Sequence, residues 1–129
     1  YVISLLFHII CLLLIFESKT IINMKLVNIE KVEEKEIVPG YFVRFVHTDH
    51  LTIAYWRIIS GHEMPEHQHP NEQFSMITKG QFELIIDGEK YILEPGKVIT
   101  IPENAKHKGK ALTDCFLTDV FYPKREDYT

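Results

Sequence analysis

Three histidines and one glutamine have the residue types and the spacing that a metal site requires. His67 and His69 are two positions apart, so on an extended strand both imidazoles point to the same face and can reach one cation. Gln73, four positions further on, adds a neutral oxygen donor, and the distant His107 can join them only through folding. Imidazole and amide groups suit several metals, so the four residues predict one divalent cation, with Mn, Fe, Ni, Co and Zn as candidates.

These residues belong to two series of positions along the chain. The first contains Gly61, His67, His69, Gln73 and Gly80, and the second contains Gly96, Pro102, Asn104 and His107. In order and in spacing the two series resemble the two motifs of the cupin family, and the resemblance extends over about residues 24–128. It implies a double-stranded antiparallel β-barrel of the jelly-roll type and, as in similar small cupins, a homodimer.

The sequence departs from the family pattern at two positions. Gln73 stands where the first motif usually has Glu, with Glu72 one position earlier, and Asn104 stands where the second motif usually has Gly. On an extended strand Gln73 and Ser75 share one face while Glu72 takes the other, which favours Gln73 as the ligand. The Pro70-Asn71 pair could reset this alternation, so Glu72 stays open as a substitute.

The rest of the chain has the residue pattern of an all-β domain. Short runs of β-branched and aromatic residues alternate with turn residues, which is typical of a sandwich or barrel. Strands are predicted at residues 41–47, 51–59, 73–79, 81–86, 89–93, 98–101 and 115–121, with a tight Asp87-Gly88 hairpin turn. Residues 27–38 are predicted to be a charged lead-in with at most a helical turn, 102–110 a loop that carries His107, and 122–129 a polar tail.

Length and composition restrict the class of protein. A chain of 129 residues is one domain with room for its own core. Its formal charge of −4, without a basic cluster, argues against a nucleic-acid partner. Cys11 and Cys115 form no CxxC pattern, which indicates reduced thiols and a cytoplasmic protein.

The first 23 residues are predicted to lie outside the native domain, which would then span residues 24–129. Residues 1–16 are almost wholly apolar, yet they are fewer than the roughly 20 that a membrane helix needs. They lack the positive start and the small-residue cleavage site of a signal peptide, and Met24 resembles a natural chain start. A truncated signal or anchor segment remains the alternative, which leaves a secreted or anchored form open.

The end of the sequence narrows the resemblance. Asp119-Val120-Phe121, followed by Pro-x-Arg-Glu-Asp-Tyr, is similar to a subgroup of small cupins that includes uronate-linearising proteins of pectin and alginate breakdown. In that subgroup His, His, Gln and His hold the metal, and an Asp and a Phe two positions apart lie near it. Asp119 and Phe121 match these positions, and their alternation sends both to one face of a strand.

Asp119 is therefore the candidate for proton transfer, and Phe121 for contact with substrate. A carboxylate facing an apolar barrel mouth has a raised pKa, which suits this role. The alternative is a structural Asp119 that caps or pairs with Arg125 or Arg44. Arg44 and Arg57 interrupt apolar strands, so each either reaches outward or faces the cavity, where one would bind a substrate carboxylate.

The resemblance thus predicts a metal-dependent isomerase or lyase-like enzyme acting on an unsaturated uronic acid. Two other classes stay open: a metal-dependent dioxygenase, which would need a carboxylate ligand such as Glu72, and a sugar- or ligand-binding module without turnover. Arg125 is expected to belong to a salt-linked tail, and Tyr55 and Trp56 to the core.

Overall fold

A computed structural model describes residues 25–129, so the prediction about residues 1–23 concerns a segment outside the described residues. The described part contains ten strands and two short 3₁₀ turns, Ile29–Lys31 and Glu126–Tyr128. The strands are β1 (Lys35–Val38), β2 (Tyr41–His47), β3 (Thr52–Ile58), β4 (Glu63–His67), β5 (Glu72–Lys79), β6 (Phe82–Ile86), β7 (Glu89–Leu93), β8 (Val98–Ile101), β9 (His107–Ala111) and β10 (Cys115–Tyr122). Within residues 25–129, no helix has the length and apolar character needed to cross a membrane.

The strands form two antiparallel sheets. One has six strands in the order β1-β2-β3-β10-β5-β8, and the other has four in the order β4-β9-β6-β7. Buried side chains of both sheets, among them Trp56, Leu84 and Leu117, belong to one apolar cluster, so the sheets pack face to face. This architecture confirms the predicted all-β jelly-roll barrel.

Alternation along the strands decides which side chains enter the barrel. In β10 every second residue from Cys115 to Phe121 is buried, and in β5 the same holds from Gln73 to Ile77. Because these two strands pair with Asp119 opposite Ser75 and Phe121 opposite Gln73, all four residues line one interior face. The inward face of the six-stranded sheet therefore becomes polar in this region.

Three strands differ from the prediction. His107 begins β9 instead of lying in a loop, and β1 and β4 were not predicted at all. The sequence of β9, His-Lys-Gly-Lys-Ala, has weak strand propensity, but the strand lies between β4 and β6 and pairs with both. Tertiary hydrogen bonding thus overrides local propensity here.

Two tight turns use the residues that the sequence singled out. Asp87 and Gly88 both have positive φ, at 46° and 86°, which confirms the predicted hairpin turn between β6 and β7. Asn104 has a φ of 61°. Asn tolerates this left-handed conformation better than most residues, so it can stand where the family pattern has Gly.

Candidate metal centre

The fold brings the three histidines together from separate elements. His67 ends β4 and pairs with His107 at the start of β9. His69 lies in the segment after β4, and its carbonyl oxygen accepts a 2.8 Å hydrogen bond from the backbone nitrogen of Asn104, which joins the two halves of the motif. One nitrogen from each ring lies within 4.8 Å of the others, a separation that a single cation can bridge.

Hydrogen bonds orient two of these rings. The Nδ1 atoms of His67 and His107 lie 2.8 Å from the carbonyl oxygens of Pro65 and Ala105, so each Nδ1 donates and each Nε2 keeps its lone pair. Burial lowers the pKa of His107 to about 4 and also lowers the pKa of His69. The rings of His69 and His107 are therefore neutral at neutral pH, as metal ligands must be.

Two buried nitrogens leave room for further bonding. Among the described residues, His107 Nε2 and His69 Nδ1 are buried side-chain atoms without a hydrogen-bond partner. An unpartnered buried acceptor is costly unless something else binds it. A cation at His107 Nε2 would remove that cost, so the donor set fits a metal ion.

Gln73 completes the set from the inner face of β5. Its Oε1 lies 3.1 Å from His69 Nε2. At this distance the two atoms form a hydrogen bond, and the amide oxygen is close enough to bind the same cation as His69. Glu72 is exposed and lies opposite Tyr122 on the outer face of the sheet, so Gln73 and not Glu72 lies beside the histidines.

Asp119 lies in the adjoining interior row and is only 6% exposed. Its Oδ2 accepts a 2.8 Å hydrogen bond from Trp56 Nε1, and its Oδ1 accepts a 2.5 Å hydrogen bond from the Ser75 hydroxyl. Burial raises the pKa of Asp119 to about 6, although hydrogen bonds from Ser75, Gln73 and Trp56 oppose that rise. The carboxyl group can therefore gain or lose a proton near neutral pH.

Two of the histidines, Gln73 and the Asp119 carboxylate share one cavity. It has a volume of about 60 Å³, and its lining includes His67, Gln73, His107, Asp119, Phe121 and Arg125. His67 is exposed as well as lining the cavity, so the cavity opens to solvent there. The Phe121 ring stands edge-on to His69, with 5.4 Å between ring centroids.

The two strand arginines do not line this cavity, so of the two positions that the sequence left open, both take the outward one. Arg44 and Arg57 both bind Glu34, at 2.9 Å and 2.8 Å. The register explains their position, because Arg44 lies opposite Tyr55 and Arg57 opposite Phe42, on the face of the sheet away from the core residues Val43 and Trp56. Arg44 is thus no partner of Asp119 either.

The arginine of the site is Arg125, which the sequence assigned to a polar tail. It does form the expected salt link, with Nε and Nη2 bonded to Asp127 at 2.8 Å and 2.7 Å. However, Arg125 is only 7% exposed and lines the cavity. Its guanidinium lies over the rings of Phe121 and Tyr128. The pair of aromatic residues flanking this arginine was the signal that could have found it.

Trp56 and Ser75 were also missed as site residues. Tyr55 and Trp56 were both expected in the core, but Tyr55 lies on the outer face and is 40% exposed. Trp56 does lie in the core, and its indole nitrogen donates a hydrogen bond to Asp119. Ser75 bonds both Asp119 and Gln73. A polar residue at an inward position of a strand, as Ser75 is, was the available signal.

Comparison with known proteins agrees with this architecture. The family model described as "Cupin domain" matches residues 54–121. The pectin degradation protein KdgF of Dickeya dadantii (strain 3937) is 36% identical over 64 residues, which are 48% of this chain and 58% of that protein. The matched region thus spans less than two thirds of that relative.

Solved structures show the same fold. KdgF from Halomonas sp. superimposes with a TM-score of 0.77 at 27% identity, over 82% of this chain and 99% of that chain. An RmlC-like cupin from Shewanella frigidimarina NCIMB 400 also has a TM-score of 0.77, at 25% identity, over 82% and 96% of the two chains. The family model matches more than half of the sequence and the two-sheet barrel agrees with it, so the chain belongs to the cupin family.

Proposed function

We propose that this cupin is a metal-dependent isomerase that converts unsaturated uronic acids, as released from pectin or alginate by lyases, to their linear keto form. The observation that carries the proposal is the buried carboxyl group of Asp119 in one cavity with His67, Gln73 and His107. Similarity to KdgF of Dickeya dadantii, which is named a pectin degradation protein, supports the substrate class.

The reaction requires proton movement and no change of redox state. A cyclic unsaturated uronic acid opens when its hemiacetal hydroxyl loses a proton and the bond from that carbon to the ring oxygen breaks. The resulting enolate becomes a ketone when a proton is added to the neighbouring alkene carbon. One proton leaves and one arrives, so a single group that acts first as a base and then as an acid is sufficient.

Asp119 is the group suited to both steps. Its pKa of about 6 lies near neutral pH, so both protonation states are accessible at low cost. The hydrogen bonds from Trp56 and Ser75 hold the carboxyl group in one orientation, which reduces the entropy lost in the reaction. Asp119 would take the hydroxyl proton and return a proton to carbon.

Arg125 and Phe121 are proposed to hold the substrate. A guanidinium has five donors, and Asp127 uses those on Nε and Nη2, so donors on Nη1 remain for a substrate carboxylate. The Phe121 ring offers an apolar surface to the face of the sugar. Arg125 takes the role that the sequence had offered to Arg44 or Arg57.

His67, His69, Gln73 and His107 are proposed to hold one divalent cation. When bound, a divalent cation supplies Lewis-acid stabilisation of negative charge on substrate oxygens. The neutral Gln73 ligand leaves more of the charge of the cation uncompensated than a carboxylate would, which favours this chemistry over the dioxygenase alternative.

The homodimer and the cytoplasmic location stay predictions. The outer face of the six-stranded sheet exposes Tyr55, Val98 and Phe116, which are 40%, 53% and 45% exposed. An apolar surface of this kind is what two copies would bury. Light scattering on the purified protein measures the association directly.

The test of function combines metal analysis with substrate conversion. The purified protein, loaded with each candidate metal in turn, is incubated without oxygen with unsaturated galacturonate and unsaturated guluronate. We expect the ultraviolet absorbance of the conjugated double bond to fall at a rate proportional to the enzyme concentration. Binding measured by calorimetry without conversion would instead support a ligand-binding module, and conversion that requires oxygen would support a dioxygenase.

A further inference from the structure

We propose that Ser75 is a positioning residue: its hydroxyl, which donates to Asp119, accepts from the side-chain amide of Gln73 and so holds the amide oxygen toward the three histidines. This inference rests on the metal site proposed above and adds to it a requirement on a residue that is not a ligand. The observation behind it is a chain of hydrogen bonds that runs from the indole of Trp56 to the edge of the metal centre.

The strand register creates this chain. Gln73 and Ser75 are successive inward residues of β5, and Ser75 is the direct cross-strand partner of Asp119. Gln73 Nε2 donates to Ser75 Oγ at 2.9 Å, and Ser75 Oγ donates to Asp119 Oδ1 at 2.5 Å. All three side chains are buried, with exposures of 7%, 2% and 6%, so water does not compete freely for these bonds.

The direction of every bond in the chain follows from donor capacity. The indole of Trp56 can only donate, so Asp119 Oδ2 is an acceptor, and the Ser75 hydroxyl donates to Asp119 Oδ1. The one hydroxyl proton of Ser75 is therefore donated to Asp119, and the Ser75 oxygen can only accept further hydrogen bonds. The group of Gln73 that faces Ser75 must then be the NH₂ group.

The amide oxygen consequently faces the histidines. Gln73 Oε1 lies 3.1 Å from His69 Nε2, on the side where a cation would bind. In the reverse orientation the NH₂ group, which has no available lone pair, would point to the cation. The amide oxygen would also lie against a Ser75 oxygen with no proton to offer, so both contacts would be unfavourable.

Ser75 has this role only because residue 73 is a glutamine. The two ends of an amide have nearly the same shape and opposite hydrogen-bonding character, so something must select which end meets the metal. Both ends of a carboxylate are oxygens, so a glutamate needs no such selection. Loss of Ser75 should therefore matter for Gln73 and not for a glutamate in its place.

A double-mutant cycle on the full chain tests this coupling. The protein is stripped of metal, and its Zn²⁺ dissociation constant is measured by competition with a chromophoric chelator. In the parent, Ser75→Ala is expected to weaken Zn²⁺ binding by about 10–100-fold, as removal of groups that orient metal ligands does. In the Gln73→Glu background, the same Ser75→Ala change is expected to alter binding by no more than about twofold.

Cys115→Ala is the matched control. Cys115 is also 2% exposed, and it lies on β10 with its Sγ bonded to the backbone carbonyls of Gln81 and Thr113. Its removal costs packing without touching the hydrogen-bond chain, so Zn²⁺ binding should not change. If Ser75→Ala does not fold, Ser75→Val removes the same hydroxyl with a side chain that favours a strand and cannot bind Zn²⁺, and the same coupling is expected.

The outcomes separate this inference from the proposed function. Equal losses for Ser75→Ala in both backgrounds would mean that Ser75 acts by packing alone, and an unchanged affinity in the parent background would overturn the inference while leaving the metal site in place. If the parent and His107→Ala both fail to bind Zn²⁺, the metal site itself is wrong, and the inference is overturned with it.

Discussion

Trp56 and Asp119 are 63 positions apart in the sequence, yet the indole nitrogen of one donates a 2.8 Å hydrogen bond to the carboxylate of the other. They meet because β3 and β10 are neighbours in the six-stranded sheet. The largest aromatic side chain of the core is thereby also a donor that holds the candidate catalytic carboxylate. The apolar core and the candidate site therefore share Trp56.

Replacement of Asp119 should stop the reaction without removing the metal. Asp119→Asn keeps the volume of the side chain but cannot accept the substrate proton, so the rate of uronate linearisation should fall by about 10²–10⁴-fold. At a saturating metal concentration, metal content measured by elemental analysis should not change, so the loss of rate reports proton transfer even if affinity for the metal falls. Asp49→Asn, at an exposed turn, is the control and should keep full activity. Full activity in Asp119→Asn would leave Asp119 only a structural role.

The same substitution should stabilise the metal-free fold at neutral pH. Burial raises the pKa of Asp119 from 3.8 to about 6, so the native state binds this proton more tightly than the unfolded state does. The stabilisation is present below about pH 4 and is lost as the pH rises through about 6. Asp119→Asn has no carboxyl group to ionise. Above pH 6 its free energy of unfolding should therefore exceed that of the parent by on the order of 3 kcal/mol.

Urea unfolding between about pH 4 and pH 8 measures this difference. We expect the advantage of Asp119→Asn to be small at the acidic end and to grow through pH 6. A difference that stays constant with pH would show that ionisation of this buried carboxyl costs no stability.

Loss of one histidine should release the metal and leave the barrel folded. His107→Ala removes one of three imidazoles, and we expect most of the bound metal to be lost. The apolar core includes Trp56, Leu84 and Leu117 from both sheets and does not depend on the cation, so circular dichroism should still report a β-rich fold. Stoichiometric metal in this variant would contradict the proposed ligand set.

Arg125 should contribute to substrate binding, whereas the strand arginines should not. Arg125→Ala removes charge-assisted hydrogen bonds worth about 1.5–3 kcal/mol, so kcat/KM should fall by about 10–100-fold, mostly through a higher KM. Arg57→Ala removes a guanidinium that binds Glu34 on the outer face, and it should leave both constants unchanged. If Arg57→Ala lowered kcat/KM as much as Arg125→Ala does, the proposal that Arg125 binds the substrate carboxylate would be contradicted.

A protein that begins at Met24 should fold and bind metal. Both sheets and the apolar core are formed within residues 25–129, and the sequence before them matches no strand of the barrel pattern. Expression of this shorter chain, followed by metal analysis, tests the prediction. Insolubility or unfolding would show that residues 1–23 contribute to the domain.

Sequence by itself determined seven of the ten strands and the candidate metal ligands. Period-two alternation requires that Asp119 and Phe121 share a face, as do Gln73 and Ser75, whatever the fold around them. The spacing of His67 and His69 and the turn at Asp87-Gly88 are likewise local properties. For this reason the candidate metal ligands could be named from the sequence, whereas the jelly-roll barrel was predicted correctly from the resemblance to the cupin family.

Tertiary structure decided which face of each strand lies inside and which segments meet. Alternation allows either face of β2 and β3 to be the interior, so it could not tell that Arg44 and Arg57 lie outside with Glu34. Nor does local sequence show that the chain after β10 returns over Phe121 and delivers Arg125 to the cavity. Contacts between distant segments depend on how the two sheets pack, and that packing is a property of the whole chain.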